Sequence, residues 1–134
     1  MSSKKTVKRF YELDLAKDED VMSYFHDNCE LYWNSSQGFK LLNYGGIKLM
    51  LEDISKSYLS FKYRLSHLLK DGKTITARYT IYVTPIENPD QEEPLAHFIS
   101  IWEVKKGKLY KGYEISQLAD EDPRNIKTFS EIKI

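Results

Sequence analysis

The sequence predicts an α+β fold, helices first and an antiparallel sheet after them. Two patterns say so. In the first third, apolar residues recur at steps of three and four. From residue 58 onward the period is two, and no helical stretch interrupts it, so strands do not alternate with helices as in parallel-sheet folds. With 134 residues the chain is long enough for one domain with its own core.

The elements follow in order. Val7, Phe10 and Leu13, with Tyr11 beside them, form a helical stripe behind the caps Ser2 and Ser3. "KDED" breaks that pattern, and Asp18 or Asp20 caps a second, short helix carrying Val21, Met22, Tyr24 and Phe25. "CELYWNS" reads as a short strand with Leu31 and Trp33 on one face. "SSQGF" and "NYGG" read as loops. A third helix starts near Ile47, with Met50, Leu51, Ile54 and Tyr58 on its stripe. Gly45-Gly46 lacks the rest of a phosphate-binding fingerprint and reads as the bend into that helix. Strands fill the remainder up to Gln117, broken by the solvated loop "ENPDQEEP". The predicted domain is 1–117 and the predicted tail 118–134, with Phe129, Ile132 and Ile134 as its apolar residues.

Composition excludes several classes. Twenty basic and twenty acidic residues cancel, without the basic excess of a nucleic-acid binder. No apolar run reaches the ~20 residues of a membrane span, and the polar, basic start is no secretory signal. The single Cys29 reads as a small buried residue in a reducing cytoplasm, since His26 alone does not make it a nucleophile. No metal-ligand spacing and no cofactor motif is present, and no G-x-S-x-G element stands out. His67 reads as a buried, hydrogen-bonded histidine on an apolar strand face, and His26 and His97 as surface or interface residues.

Turn parity assigns the faces. A three-residue loop Lys70-Asp71-Gly72 puts Phe61, Tyr63, Leu65, His67 and Leu69 on one face with Ile75, Ala77, Tyr79 and Ile81. The same chemistry at Lys105-Lys106-Gly107 puts Trp102 opposite Tyr110, Ser100 opposite Gly112 and Phe98 opposite Glu114. One face then carries Ala96, Phe98, Ser100, Trp102, Tyr110, Gly112, Glu114 and Ser116. The other carries Ile99, Ile101, Leu109, Tyr113 and Ile115, with His97, Glu103 and Lys111. Strands apolar on both sides need cover on both, and a second copy of the chain supplies it most simply, predicting a homodimer through Ile99, Ile101, Tyr113 and Ile115.

Helices, a short strand, a Gly-bearing loop into a helix, and a meander ending "IWEVKKGKLYKGYEIS" resemble the SnoaL-like branch of the nuclear transport factor 2-like superfamily, of cystatin-like fold. The likeness covers roughly residues 4 to 117. It implies a cone, a bent antiparallel sheet wrapped around three N-terminal helices, with a pocket at the wide end. Trp33, Tyr63, Tyr79, Phe98, Ser100, Trp102, Tyr110 and Gly112 would line that pocket. Ketosteroid isomerases of this superfamily place a tyrosine and two acids where this chain aligns Phe10, Trp33 and Ser100, with Tyr11 adjoining the first; without the acids that chemistry is excluded. SnoaL-type cyclases use an acid on the last strand, which Glu114 matches, and a histidine whose position here is Ser100. The resemblance thus implies a small-molecule-binding protein with Glu114 as its candidate catalytic residue. The ligand would be hydrophobic or aromatic, and the reaction of isomerase, cyclase or hydrolase type. The alternative is a non-catalytic interaction domain like nuclear transport factor 2 itself. A cystatin-type inhibitor is disfavoured by the lack of a Q-x-V-x-G loop.

Overall fold

The computed structural model describes residues 2–120, 122, 124, 125 and 129. Helix α1 (Ser3–Tyr11) starts where the Ser2 hydroxyl accepts the Lys5 N–H at 3.2 Å, and it buries Thr6, Val7, Phe10 and Tyr11. Asp14 then ties the chain to the sheet. Its carboxylate accepts the Phe61 N–H at 2.9 Å and the Ser60 hydroxyl at 2.7 Å.

The second helix predicted from the sequence does not form. Val21–Tyr24 make one 3₁₀ turn, and Phe25 already opens strand β1 (Phe25–Ser35). Asp20 supplies no side-chain cap, and a run this short cannot offset the cost of nucleating an α-helix. Two α-helices therefore stand where three were expected. A strand appears where loops were expected. Gly38–Asn43 form β2, which turns back on β1 and pairs with it from Ser35–Gly38 to Glu30–Asn43. Helix α2 (Tyr44–Ser57) follows at once, because the Asn43 side chain accepts the Gly46 N–H at 2.9 Å. Gly45-Gly46 thus lie in its first turn.

Strands β3 (Tyr58–Asp71), β4 (Thr74–Pro85), β5 (Glu93–Lys105) and β6 (Lys108–Leu118) form the meander. The six-stranded sheet has the order β2-β1-β6-β5-β4-β3, with β1 parallel to β6 and every other pair antiparallel. Both helices pack on one face, and the core lies between them and the sheet.

Both tight turns have two loop residues, not three. In the first, Asp71 pairs with Thr74, and Gly72 takes φ 64° at the first loop position. That slip would invert every face, but a bulge between Leu65 and His67 restores parity beyond it. Phe61, Tyr63 and Leu65 therefore share the inner face with Val83, Ile81 and Tyr79. On the turn side of the bulge Leu68 pairs with Ala77, and His67 and Leu69 point outward, against expectation. In the second turn Lys105 pairs with Lys108, and Lys106 and Gly107 both take positive φ, 53° and 73°. A bulge between Glu103 and Val104 leaves Tyr110 as the extra residue. Beyond it Trp102 pairs with Gly112 and Ser100 with Glu114, so Glu114 stays on the inner face.

The outer face is apolar across several strands. Tyr113 stands between Ile101 and Tyr32, and Tyr32 pairs with Leu41. Ile99, Ile101, Tyr113 and Ile115 are all exposed. At the β4–β5 end of this face Phe129 lies under the Arg78 guanidinium and stacks on His97, and Arg78 also donates to the Phe129 carbonyl at 2.9 Å.

Candidate functional site

Between the sheet and α2 lies a cavity of about 330 Å³. The stripe of α2, Ile47, Met50, Leu51 and Ile54, supplies one wall, and the inner face of the sheet supplies the other. Exposed residues Ser36, Gln37, Lys40 and Leu118 form its mouth.

Across the sheet wall the register builds one row. Lys40 on β2 pairs with Trp33 on β1, Trp33 with Glu114 on β6, Glu114 with Ser100 on β5, and Ser100 with Ala77 on β4. A second row sets Tyr79 beside Phe98 and Phe98 beside Ser116. Tyr79 and Phe98 are stacked at 5.3 Å with planes 4° apart, and Trp33 continues the series from Phe98 at 6.1 Å and 28°. The Trp33 indole N–H donates to the Ser116 hydroxyl at 2.9 Å.

The Glu114 carboxylate is the one acid on this lining among the described residues. Ser100 donates to its Oε1 at 3.1 Å and the Tyr79 hydroxyl approaches the same oxygen at 3.4 Å, while Tyr79 and Ser100 bond each other at 2.7 Å. Burial disfavours the charge and raises the Glu114 pKa to about 7, against the lowering effect of those two hydroxyls. Its remaining accessible surface borders the cavity. Behind it sits a cluster of tyrosines. The Trp102 indole, a donor only, gives its N–H to the Tyr11 hydroxyl at 3.0 Å. Burial, reinforced by the Glu114 charge, raises Tyr11 and Tyr79 above the ordinary tyrosine range; for Tyr63 burial leads again, with Tyr11 ahead of Glu114. All three hydroxyls therefore keep their protons at neutral pH. A carboxyl that titrates near neutrality, backed by fixed hydroxyl donors and facing an apolar space, is equipped to take or give a proton.

Trp33, Tyr63, Tyr79, Phe98, Trp102 and Glu114 all line the cavity. Ser100 lies just behind, fully buried, as the partner of Glu114. Gly112 is the seat of Trp102: a Cβ there would fall 2.6 Å from the indole ring. Tyr110 does not join them. As the bulged residue it packs outside against His26 and under the ammonium of Lys105. Tyr11, Ser116 and Lys40 are the site residues that the sequence reading did not single out. The parity that placed Glu114 also placed Ser116, whereas the alternation in "GFKLLN" covers only Phe39, Lys40 and Leu41, too short a run to mark β2.

Other candidates resolve as structure. Burial pushes the Cys29 thiol up to about 11, and His26 Nδ1 accepts the Asn28 N–H rather than serving the thiol. His97 bonds Thr80 at 2.8 Å, and His67 bonds Ser66 at 2.9 Å. Among the described residues no group of three or more His, Cys, Asp and Glu is placed to hold a metal, and no helix is long and apolar enough to cross a membrane.

Compared with known proteins, the sequence matches no family model and no curated protein. The structure matches solved ones. IdmH, a candidate polyketide cyclase from Streptomyces antibioticus, superposes with a TM-score of 0.70 at 11% identity, over 96% of this chain and 97% of that one. A SnoaL-like candidate polyketide cyclase from Shewanella denitrificans gives 0.65 at 8%, over 96% of each chain. An LEH-like epoxide hydrolase from M. tuberculosis gives 0.66 at 13%, over 94% of this chain and 86% of that one. The chain therefore has the α+β fold that these solved structures share. One of these neighbours is described as SnoaL-like, and the likeness of fold agrees with the element order read from the sequence.

Proposed function

We propose that this chain binds a hydrophobic or aromatic small molecule in the cone, and that Glu114 transfers a proton to or from it in an isomerase-, cyclase- or hydrolase-type reaction. One observation carries the reading: a lone carboxyl, held by Ser100 and Tyr79 and titrating at about 7, faces a largely apolar cavity. Apolar walls with a few fixed polar groups are what small-molecule sites need. Structural neighbours described as a candidate polyketide cyclase and an epoxide hydrolase support it. The proposed pocket set is Trp33, Tyr63, Tyr79, Phe98, Ser100 and Trp102, with Gly112 seating the last. The open mouth favours this over a purely protein-binding domain, whose cone its own side chains would fill.

The test is direct. Mass spectrometry of protein purified natively and then denatured should reveal a released hydrophobic compound. Glu114→Gln should keep the fold and the compound but lose its conversion. Failure to release or rebind any hydrophobic aromatic compound would remove the reading.

The working unit in this proposal is residues 1–117, with 118–134 as a tail, in the cytoplasm, where the free Cys29 thiol stays reduced. It is a homodimer across the outer sheet face, supported by the exposure of Ile99, Ile101, Tyr113 and Ile115 on adjacent strands.

A further inference from the structure

The cavity carries two charged residues on its lining, and they stand apart: Glu114 at the floor and Lys40 at the mouth. They share one cross-strand row, with Trp33 between them. Two interstrand steps separate them, roughly 10 Å of backbone. The Lys40 ammonium reaches over the Trp33 ring, 5.7 Å from its centroid, on the cavity side of the sheet. It has no acid to neutralise it: among the described residues the ion pairs are Arg64–Glu92 and Arg124–Asp122. Ser35, Ser36 and Gln37 add neutral hydrogen-bonding groups around it. Alongside this row the rings of Trp33, Phe98 and Tyr79 stack in series from β1 across to β4 and give the cavity a wall that favours a flat, apolar body.

We infer that the ligand is a planar, largely apolar organic acid whose anionic group pairs with Lys40 at the mouth and whose far end presents a hydroxyl or carbonyl oxygen to Glu114. The inference rests on the proposed ligand site and adds the ligand's charge and direction. The direction is set by electrostatics. An anion at the floor would face the Glu114 carboxylate and lose its water, whereas at the mouth it keeps part of its hydration and meets a cation. Lys40 is then a specificity-determining residue that acts on binding, while Glu114 meets the reacting end.

A matched pair of probes tests this: 6-hydroxy-2-naphthoate, whose carboxylate and hydroxyl lie at opposite ends of a flat apolar body, and its uncharged methyl ester. Calorimetry at low salt should show the wild type binding the acid at least threefold tighter than the ester, with the gap narrowing as salt is added. Lys40→Gln, an exposed position where the fold should hold, should bring the acid down to the ester's affinity and leave the ester unchanged. Lys40→Arg should keep the preference. Equal binding of both compounds by the wild type, or a preference that survives Lys40→Gln, overturns the acid assignment while the cavity stands as a ligand site. If neither compound binds, the cavity reading falls and the acid assignment falls with it.

Discussion

At neutral pH Glu114 is held between its two protonation states, because burial opposes its charge while Ser100 and Tyr79 support it. This has a thermodynamic sign. The folded chain keeps the Glu114 proton up to about 7, whereas the unfolded chain releases it near 4.5. Between those values the folded state binds more protons, so this group's contribution to stability falls as pH rises. The difference corresponds to about 3 kcal/mol. Glu114→Gln should therefore match the wild type near pH 4 and be the more stable protein above pH 7, by up to roughly 3 kcal/mol. Urea unfolding across that range would show it, and parallel curves for the two proteins would contradict it. Gly112 gives a second residue-scale outcome. Gly112→Ala drives a methyl into the Trp102 ring and Leu31, and should cost about 1–3 kcal/mol, read by denaturation with tryptophan fluorescence. Glu114 and Ser100 were placed on the inner face from the sequence, but the partner of Glu114 was not. Phe98 was expected opposite it and Ser100 is found there. That shift of two residues turns an apolar neighbour into a hydrogen-bond donor.

Elements were legible where their periodicity was long. The helical stripe from Ile47 to Ile54 and the alternation after residue 58 each spanned several repeats, and both elements exist. The segment from Val21 to Phe25 offered too few residues to separate a helix from a turn entering a strand. The bulges were not legible at all. An extra residue such as Tyr110 sits in "KLYKGYEIS" between Leu109 and Lys111, a setting that reads equally well as unbroken alternation, so the sequence carries no mark of the bulge. In each hairpin the loop was predicted one residue too long, and the unseen bulge compensated. The faces beyond each bulge came out as expected, while Leu109, Tyr110, His67 and Leu69, between bulge and turn, did not; Leu109, expected outside, is buried in the core. The turns themselves are testable. Lys106 holds φ 53°, a conformation that costs a lysine more than an asparagine or glycine. Lys106→Asn should raise stability by about 0.5–1 kcal/mol, and a thermal melt with no gain would argue that the turn is not of this type.

For the whole molecule, the outer sheet face is the feature with the largest consequence for assembly. A charge at its centre should separate two copies while leaving the cone intact. Ile101→Glu is expected to give a monomer by light scattering at micromolar concentration, with wild-type circular dichroism, where the proposed interface predicts a dimer for the wild type. A wild-type monomer would remove the interface. The register indicates that the face extends beyond Ile99, Ile101, Tyr113 and Ile115 to Tyr32 and Leu41, which parity within single hairpins could not show because β2 was not foreseen. Of the tail residues, Phe129 lies against Arg78 and His97 at one end of this face, and Ile132 and Ile134 lie outside the described residues.

The parallel pairing of β1 with β6 also fixes a timetable. β1 emerges from the ribosome well before β6, yet β6, the last strand among the described residues, is its parallel neighbour. Until residue 118 is available, β1 and β2 have no edge to join, and the apolar lining from Phe25 to Trp33 has no closed cone to enter. Closure of such a long loop is slow, and the apolar surface stays open meanwhile. A chain stalled before Lys108 should therefore be captured by chaperones and cut readily by proteases. Release of the final eleven residues of strand should end both vulnerabilities in a single cooperative step.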